Sequence, residues 1–176
     1  MKIQYSLNKN DFLENLLYRY SISEIQKKKL LKSRVLVPII YLFFAAYLML
    51  QQKTNYGIGF IAFAVLWFLL YPFYNKWRIK KYYLKHIAEN FQNKIGITSE
   101  LKFDKDIVYM NDKGSESKVK ISEFENLIET KDYYYLDTFQ KSSIIIPKKE
   151  ISDKNQFLEL IKNYDINIED KTEWTW

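Results

Sequence analysis

The sequence predicts an α+β protein in which a two-helix transmembrane hairpin precedes a small antiparallel β-sheet domain closed by a C-terminal helix. Three observations predict this class. Between residues 35 and 75 the only charged side chain is Lys53. Clusters of lysine and arginine lie on both sides of that apolar stretch. After residue 97 the apolar residues change from helical spacing to alternation, which is the period of a half-buried strand.

Residues 1–34 form the first predicted segment, a strand followed by basic amphipathic helices. Ile3, Tyr5 and Leu7 alternate with polar residues and predict the strand. Asp11 is expected to cap a short helix that runs to about Arg19. Ser21 with Glu24 matches a capping box that opens a second helix. A strand this far from the β-rich region could complete its sheet.

Residues 35–75 form the predicted hairpin. Residues 35–50 are 16 consecutive uncharged, mostly apolar positions, and residues 56–74 are 19 more. As helices these runs would be about 24 Å and 28 Å long, close to the roughly 30 Å of a bilayer core. The alternative is a buried hairpin of a soluble protein, which needs a larger core than 176 residues with few other apolar runs can supply. Pro38 is expected to mark a kink or a fresh helix start.

The flanks of the two runs predict the orientation. Five basic residues precede the first run within residues 27–34, five follow the second within residues 76–85, and the connecting loop has Lys53 alone. Because lysine and arginine collect on the cytoplasmic side, we expect a multi-pass protein of the bacterial cytoplasmic (inner) membrane with both termini in the cytoplasm. Tyr71, Tyr74 and Trp77 are expected to form an aromatic belt at the inner interface.

Residues 76–97 are predicted to be a cytoplasmic stem helix that continues to about Lys94, and residues 98–176 a β-rich domain. Short strands are expected at 101–103, 107–109, 119–121, 127–130, 133–136 and 143–146, with a turn at 111–114 and a connecting turn at 122–127. The Asp104-Lys105-Asp106 run is interpreted as turn residues rather than as a paired-carboxylate site. Ser152 is expected to cap a closing helix through about Asn163.

Several stretches of this region resemble the YcxB-like membrane proteins. They are LKFDKDIV at 101–108, ISEFENLIE at 121–129, residues 134–136 and IIIPKKE at 144–150. The chain departs from the family at Phe124, where tryptophan is usual, and at Ile151, where a large aromatic residue is usual. The resemblance implies a sheet like that of pleckstrin-homology (PH) domains beneath a membrane hairpin. It implies no activity and brings no catalytic residues.

Charge and motifs exclude several classes of function. Residues 1–97 carry net +11 and residues 98–176 net −5, so the globular part has the wrong sign for nucleic acid. There are no cysteines and no phosphate-binding glycine motif. His86 and Glu89 alone leave most metal ligands unsupplied. We therefore expect no enzyme, no metal and no cofactor.

The predicted function is a non-catalytic, membrane-anchored, cytoplasm-facing binding module that recognises a protein or a lipid headgroup at the inner leaflet. Lys141, Lys148 and Lys149 surround the last strand and are the candidate headgroup or partner contacts. The alternative is an immunity or envelope-protective protein whose hairpin meets a membrane-acting toxin. A third possibility is a membrane-bound sensor or regulator. The sequence leaves the partner and the oligomeric state open.

Overall fold

The computed structural model describes residues 1–176 and divides them into two compact units. One unit consists of residues 1–15 and 84–175, and the other of residues 16–83 with Trp176. The chain is α+β and contains four α-helices, two of them long and apolar. The helices are α1 Lys9–Ile22, α2 Glu24–Leu50, α3 Thr54–Asn90 and α4 Lys154–Asn163. The strands are β1 Lys2–Ser6, β2 Thr98–Asp104, β3 Ile107–Asp112, β4 Ser115–Lys120, β5 Phe124–Glu129, β6 Tyr133–Thr138, β7 Ser143–Pro147 and β8 Asn167–Asp170.

Two four-stranded sheets form the first unit. The first sheet has the order β1-β2-β3-β4 and is antiparallel throughout. The second has the order β7-β6-β5-β8, in which β8 alone runs parallel to its neighbour. The prediction that an N-terminal strand completes the sheet is confirmed, since Ile3 pairs with Leu101 across β1 and β2.

A single apolar core joins both sheets and α4. Leu101, Val108, Leu136, Phe157 and Ile161 are completely buried in it. Each such side chain contributes on the order of 1.5–3 kcal/mol relative to an exposed one. Ile3 and Tyr5 of β1 belong to the same core, so the start of the chain is an integral part of this unit.

The helix caps lie one to three residues from their predicted positions. Asn8 caps α1, because its side-chain oxygen accepts hydrogen bonds from the backbone amides of Asn10 and Asp11. In return, the Asp11 carboxylate accepts a hydrogen bond from the Asn8 amide at 2.6 Å. Ser23, rather than Ser21, caps α2, and the Ser21 hydroxyl donates to a backbone carbonyl of α1 instead. Asp153 replaces Ser152 as the cap of α4. Neighbouring Ser, Asn and Asp residues have similar capping propensity, so pattern alone does not select among them.

Four other predictions need correction. Helix α2 continues through Pro38 without a fresh start. The stem is the continuation of α3, as predicted, but it ends at Asn90 rather than at about Lys94 and is followed by a short 3₁₀ turn at Gln92–Lys94. Residues 122–127 are not one turn, because a 3₁₀ turn at Ile121–Glu123 leads directly into β5. Strand β8 follows α4, so the domain does not end at the closing helix as predicted.

In the second unit α2 and α3 pack side by side in opposite directions. Phe60 contacts both Tyr41 and Phe44, with ring centroids 6.0 Å and 5.9 Å apart, while Gly57 lies against Met49 near the connecting loop. Most of their apolar side chains nevertheless face outward. In the most apolar 18-residue windows only 11% of the α2 positions and 17% of the α3 positions are buried. By length and composition, both helices could cross a membrane.

Candidate functional site

The three lysines predicted to contact a ligand do not come together. Lys148 has a side chain only 12% exposed, and its Nζ lies 2.6 Å from Oε1 of Glu129. The Tyr134 hydroxyl donates to the same oxygen at 3.3 Å, and Lys148 Nζ lies 4.9 Å from the centre of the Tyr134 ring. Lys149 is exposed and 3.8 Å from Glu150, and Lys141 occupies a left-handed turn position before the other end of β7. Lys148 is thus part of the packing. Lys149 and Lys141 lie at opposite ends of β7.

The tyrosine run of β6 contributes to packing as well. Tyr134 and Tyr135 are buried, and Tyr133 stacks in parallel on Tyr135 with centroids 5.9 Å apart. The Tyr133 hydroxyl donates to Oδ1 of Asp11 at 2.8 Å, and Asp11 is itself buried. Burial, and then the hydrogen bond to Asp11, raise the pKa of Tyr133 well above the usual tyrosine range. This contact attaches the first turn of α1 to β6.

A line of basic and aromatic side chains crosses the outer face of the first sheet, and we call it the lysine row. It consists of Lys2, Lys102, Tyr109 and Lys118, which are in register across β1 to β4. The ammonium groups of Lys102 and Lys118 lie 5.8 Å and 5.4 Å from the centre of the Tyr109 ring.

Like charges directly opposite each other in a sheet are destabilising. Two of the lysines in the row are offset by acids, because Lys2 is 2.8 Å from Glu100 and Lys102 is 3.5 Å from Asp104. Lys118 has no acidic partner. The row therefore keeps one lysine without an acidic partner, Lys118, beside the Tyr109 ring. Strand alternation could have indicated its outward residues, but the β1–β2 register that adds Lys2 is a long-range pairing that no local signal encodes.

The histidine and carboxylates do not assemble a metal centre. His86 lies on α3, where its Nδ1 is 3.1 Å from the Asn90 amide nitrogen, and Glu89 pairs with Lys85 at 3.7 Å. No group of three or more histidine and carboxylate side chains in the chain could hold an ion. Asp104 and Asp106 flank the β2–β3 turn, whose Lys105 has a positive φ of 45°.

The second unit contains a polar and aromatic cluster around Asn75. This buried amide donates to the Tyr20 hydroxyl at 3.2 Å and accepts from Arg78 at 3.3 Å. The Trp176 ring meets Tyr20 edge-on, with centroids 5.8 Å apart, and Lys76 Nζ lies 5.6 Å from the Trp176 ring centre. The terminal tryptophan therefore has a defined packing partner.

An aromatic ladder runs along one side of α3 beside that cluster. Trp67, Tyr71, Tyr74 and Trp77 follow one another with centroid distances of 5.2 Å, 6.4 Å and 6.2 Å. Tyr71 is buried, whereas Tyr74 and Trp77 are exposed. Exposed aromatics at the end of an apolar helix are typical of a membrane interface.

The fold thus defines a class of protein: a two-sheet α+β unit joined in one chain to two long apolar helices. Residues 103–162 match the model of the family described as YcxB-like protein, from the end of β2 into α4. The chain therefore carries a YcxB-like domain, which confirms the resemblance over about a third of its length. No curated protein and no solved structure matches the chain.

Proposed function

We propose that this protein is a membrane-anchored binding module without catalytic activity. In this proposal α2 and α3 cross the bacterial cytoplasmic membrane as a hairpin with both termini in the cytoplasm. The YcxB-like domain, with a PH-like fold, binds a protein or a lipid headgroup at the inner leaflet.

The observation that carries the proposal is the exposed apolar surface of α2 and α3. Phe43, Phe63 and Phe73 are each more than 60% exposed, among many other apolar side chains on both helices. Water-exposed apolar surface costs about 25 cal/mol per Å², and soluble monomers rarely leave contiguous apolar patches of more than a few hundred Å² uncovered. A bilayer would cover this surface, and helices satisfy their own backbone hydrogen bonds in lipid.

Charge supports the orientation and the inner-leaflet location. Residues 16–83 contain eleven basic residues and a single acidic one, Glu24. Apart from Arg19 and Lys53, these basic residues flank the two apolar runs. Each lysine or arginine near an anionic leaflet contributes on the order of 1 kcal/mol of attraction.

The architecture of the first unit supports the PH-like assignment and a binding role. Two sheets enclose one core, and α4 contributes Phe157 and Ile161 to it. Two pairs of groups that could do acid–base chemistry, Asp11–Tyr133 and Glu129–Lys148, are bonded to each other in this unit. Exposed basic and aromatic groups remain available in the lysine row, which suits an anionic partner group.

Cysteine labelling in intact cells tests the membrane topology. Thr54→Cys lies at the first residue of α3, next to the connecting loop, and should react with an impermeant thiol reagent from outside. Asn93→Cys lies after α3 and should react only after the membrane is broken. Reaction of Asn93→Cys but not Thr54→Cys in intact cells would reverse the orientation. Recovery of the whole chain in the soluble fraction would refute the membrane anchor.

A further inference from the structure

Pro72 leaves one backbone carbonyl of α3 without its helical partner. In an α-helix the carbonyl of residue i accepts from the amide of residue i+4, and proline has no amide hydrogen. Pro72 lies inside α3, so the Phe68 carbonyl has no such donor. In a membrane an unpaired carbonyl costs several kcal/mol, and neighbouring helices commonly supply the missing donor.

Arg34 of α2 supplies that donor. Its Nε donates to the Phe68 carbonyl oxygen at 3.0 Å. Its guanidinium carbon also lies 4.1 Å from the centre of the Phe68 ring, which is cation–π distance. The guanidinium is therefore fixed by the hydrogen bond of its Nε and by the contact of its face with the Phe68 ring.

The rest of this guanidinium has no partner in the unit. Arginine has five N–H donors, and the bond to Phe68 uses one of them. The two terminal nitrogens of Arg34 make no protein hydrogen bond, and Arg34 has no ion pair. Glu24, the only acidic residue within 16–83, lies 2.8 Å from Lys27.

Arg34 also lies level with an apolar part of α3. Its partner Phe68 is six residues before Tyr74, where the second apolar run ends. At about 1.5 Å per residue this places the charge roughly 9 Å from the end of the second run, while on α2 it directly precedes the first run. Charged groups at such depths pair with an anion or reach toward the headgroups.

We propose that the Arg34 guanidinium, oriented by the Phe68 carbonyl, binds the phosphate of a phospholipid from the surrounding inner leaflet. The two terminal nitrogens form the planar fork that pairs with phosphate oxygens in a bidentate manner. Exposed Ile61, Val65 and Leu66 precede Phe68 on α3, toward the bilayer centre in the proposed topology, and offer apolar surface for acyl chains, which favours a lipid over free phosphate. This inference rests on the membrane-anchored function proposed above.

Native mass spectrometry of the full chain, released from detergent in the presence of dioleoylphosphatidylglycerol, tests the site. We expect one tightly retained lipid, and about tenfold weaker retention for Arg34→Gln, because a bidentate charge-assisted contact is lost. Arg34→Lys should be nearly as weak, since one ammonium group cannot both bond the carbonyl and present a fork. Arg78→Gln is the matched control and should retain the lipid, because Arg78 bonds the Asn75 side chain instead.

Pro72→Ala tests the positioning by the carbonyl while leaving every charge in place. The backbone amide gained at this position should bond the Phe68 carbonyl and displace Arg34 Nε, so lipid retention should fall severalfold although helix content is unchanged or higher. Dioleoylglycerol, which lacks the phosphate, should not be retained, and glycerol phosphate should not compete with the lipid.

These experiments separate the lipid site, the role of the Phe68 carbonyl and the proposed function. Equal lipid retention by wild type and Arg34→Gln, or an equal loss in Arg78→Gln, would overturn the site. Full retention by Pro72→Ala would overturn the role of the carbonyl, and competition by glycerol phosphate would assign the site to a soluble phosphate. Failure of the wild-type chain to sediment with membranes would instead refute the proposed function itself. Helix content measured by circular dichroism identifies any variant that has not folded.

Discussion

Lys148 and Lys149 are adjacent, chemically identical side chains in different surroundings. The first is 12% exposed and bonded to Glu129, and the second is 65% exposed beside Glu150. Sequence reasoning treats them as equivalent because both follow Pro147 at the end of a strand. Only the fold distinguishes the lysine that packs from the lysine that faces solvent.

Replacing the buried member of this pair should destabilise the protein. Lys148→Ala leaves the Glu129 carboxylate with the Tyr134 hydroxyl as its remaining side-chain donor, so we expect a loss of about 1–3 kcal/mol in the free energy of unfolding. Lys149→Ala should change it by less than about 0.5 kcal/mol. Urea unfolding of the detergent-solubilised chain measures both. Equal effects of the two substitutions would contradict the assignment.

Buried tyrosine hydroxyls make the first unit sensitive to alkali. Burial, and then Asp112, raise the pKa of Tyr5 to about 12, burial and then Glu129 do the same for Tyr134, and the pKa of Tyr133 is raised further. An unfolded tyrosine ionises near pH 10, so the folded state holds protons that the unfolded state releases. Stability should be complete below about pH 10 and should fall as the pH rises from about 10 toward 12.

Unfolding midpoints measured across this pH range, together with absorbance at 295 nm for tyrosinate, test the alkaline loss. Tyr133→Phe should make the loss of stability with pH less steep, because one raised pKa is removed. A constant midpoint from pH 9 to 12 would contradict the prediction.

Among the elements, the contact between α2 and α3 depends on Gly57. A Cβ atom at this position would lie 2.7 Å from Cγ of Met49 and 3.1 Å from the Ala45 carbonyl oxygen. At Gly59, two residues on, a Cβ atom would meet nothing within 4 Å. The packing of the two helices therefore requires a glycine at position 57 but not at position 59.

Gly57→Ala should weaken the helix pair, while Gly59→Ala should not. Overpacking at Gly57 costs about 1–3 kcal/mol, partly offset by the better helix propensity of alanine, which is worth about 1 kcal/mol. At Gly59 only the propensity gain applies. Thermal unfolding of the full chain in the same detergent compares the two variants. If Gly59→Ala were less stable than Gly57→Ala, the contact assigned to Gly57 between α2 and α3 would be contradicted.

The elements differ in how well the sequence predicts them. Long apolar runs and strict alternation are strong signals, and α2, α3, β1, β6 and β7 were all predicted from them. Strand β8 has four residues with one apolar side chain, Ile168, and it depends on parallel pairing with β5 and on the Asn126–Glu169 hydrogen bond at 2.9 Å. A strand stabilised by such distant contacts leaves no local pattern. The Arg34–Phe68 contact was missed for the same reason, although Pro72 signals the free carbonyl.

At the scale of the whole molecule, the start of the chain and the strands after residue 97 contribute to one core. Ile3 is 3% exposed within it, while Gln4 points outward. Ile3→Asp should therefore destabilise the whole β-rich unit by more than about 3 kcal/mol, since it buries a carboxylate without a partner. Gln4→Lys also introduces a charge, but at an outward position opposite Glu100, and should have little effect.

Limited proteolysis of the full chain in detergent, with the cleavage sites mapped, measures this coupling. We expect Ile3→Asp to expose cleavage sites in β5 to β7, far away in sequence, and Gln4→Lys to leave them protected. Protection of those strands in Ile3→Asp would mean that β1 is only an accessory to the sheet.

The pairing of β1 with β2 also sets an order of events during synthesis. Ser6 leaves the ribosome about 90 residues before its partner Thr98. At about 5–20 residues per second, β1 waits roughly 5–20 s for the strand beside it. The two long apolar helices are synthesised within this interval, so both are complete before the first sheet can close. The β-rich unit can therefore finish folding only after both helices have been made, and its earliest strand stays unpaired until then.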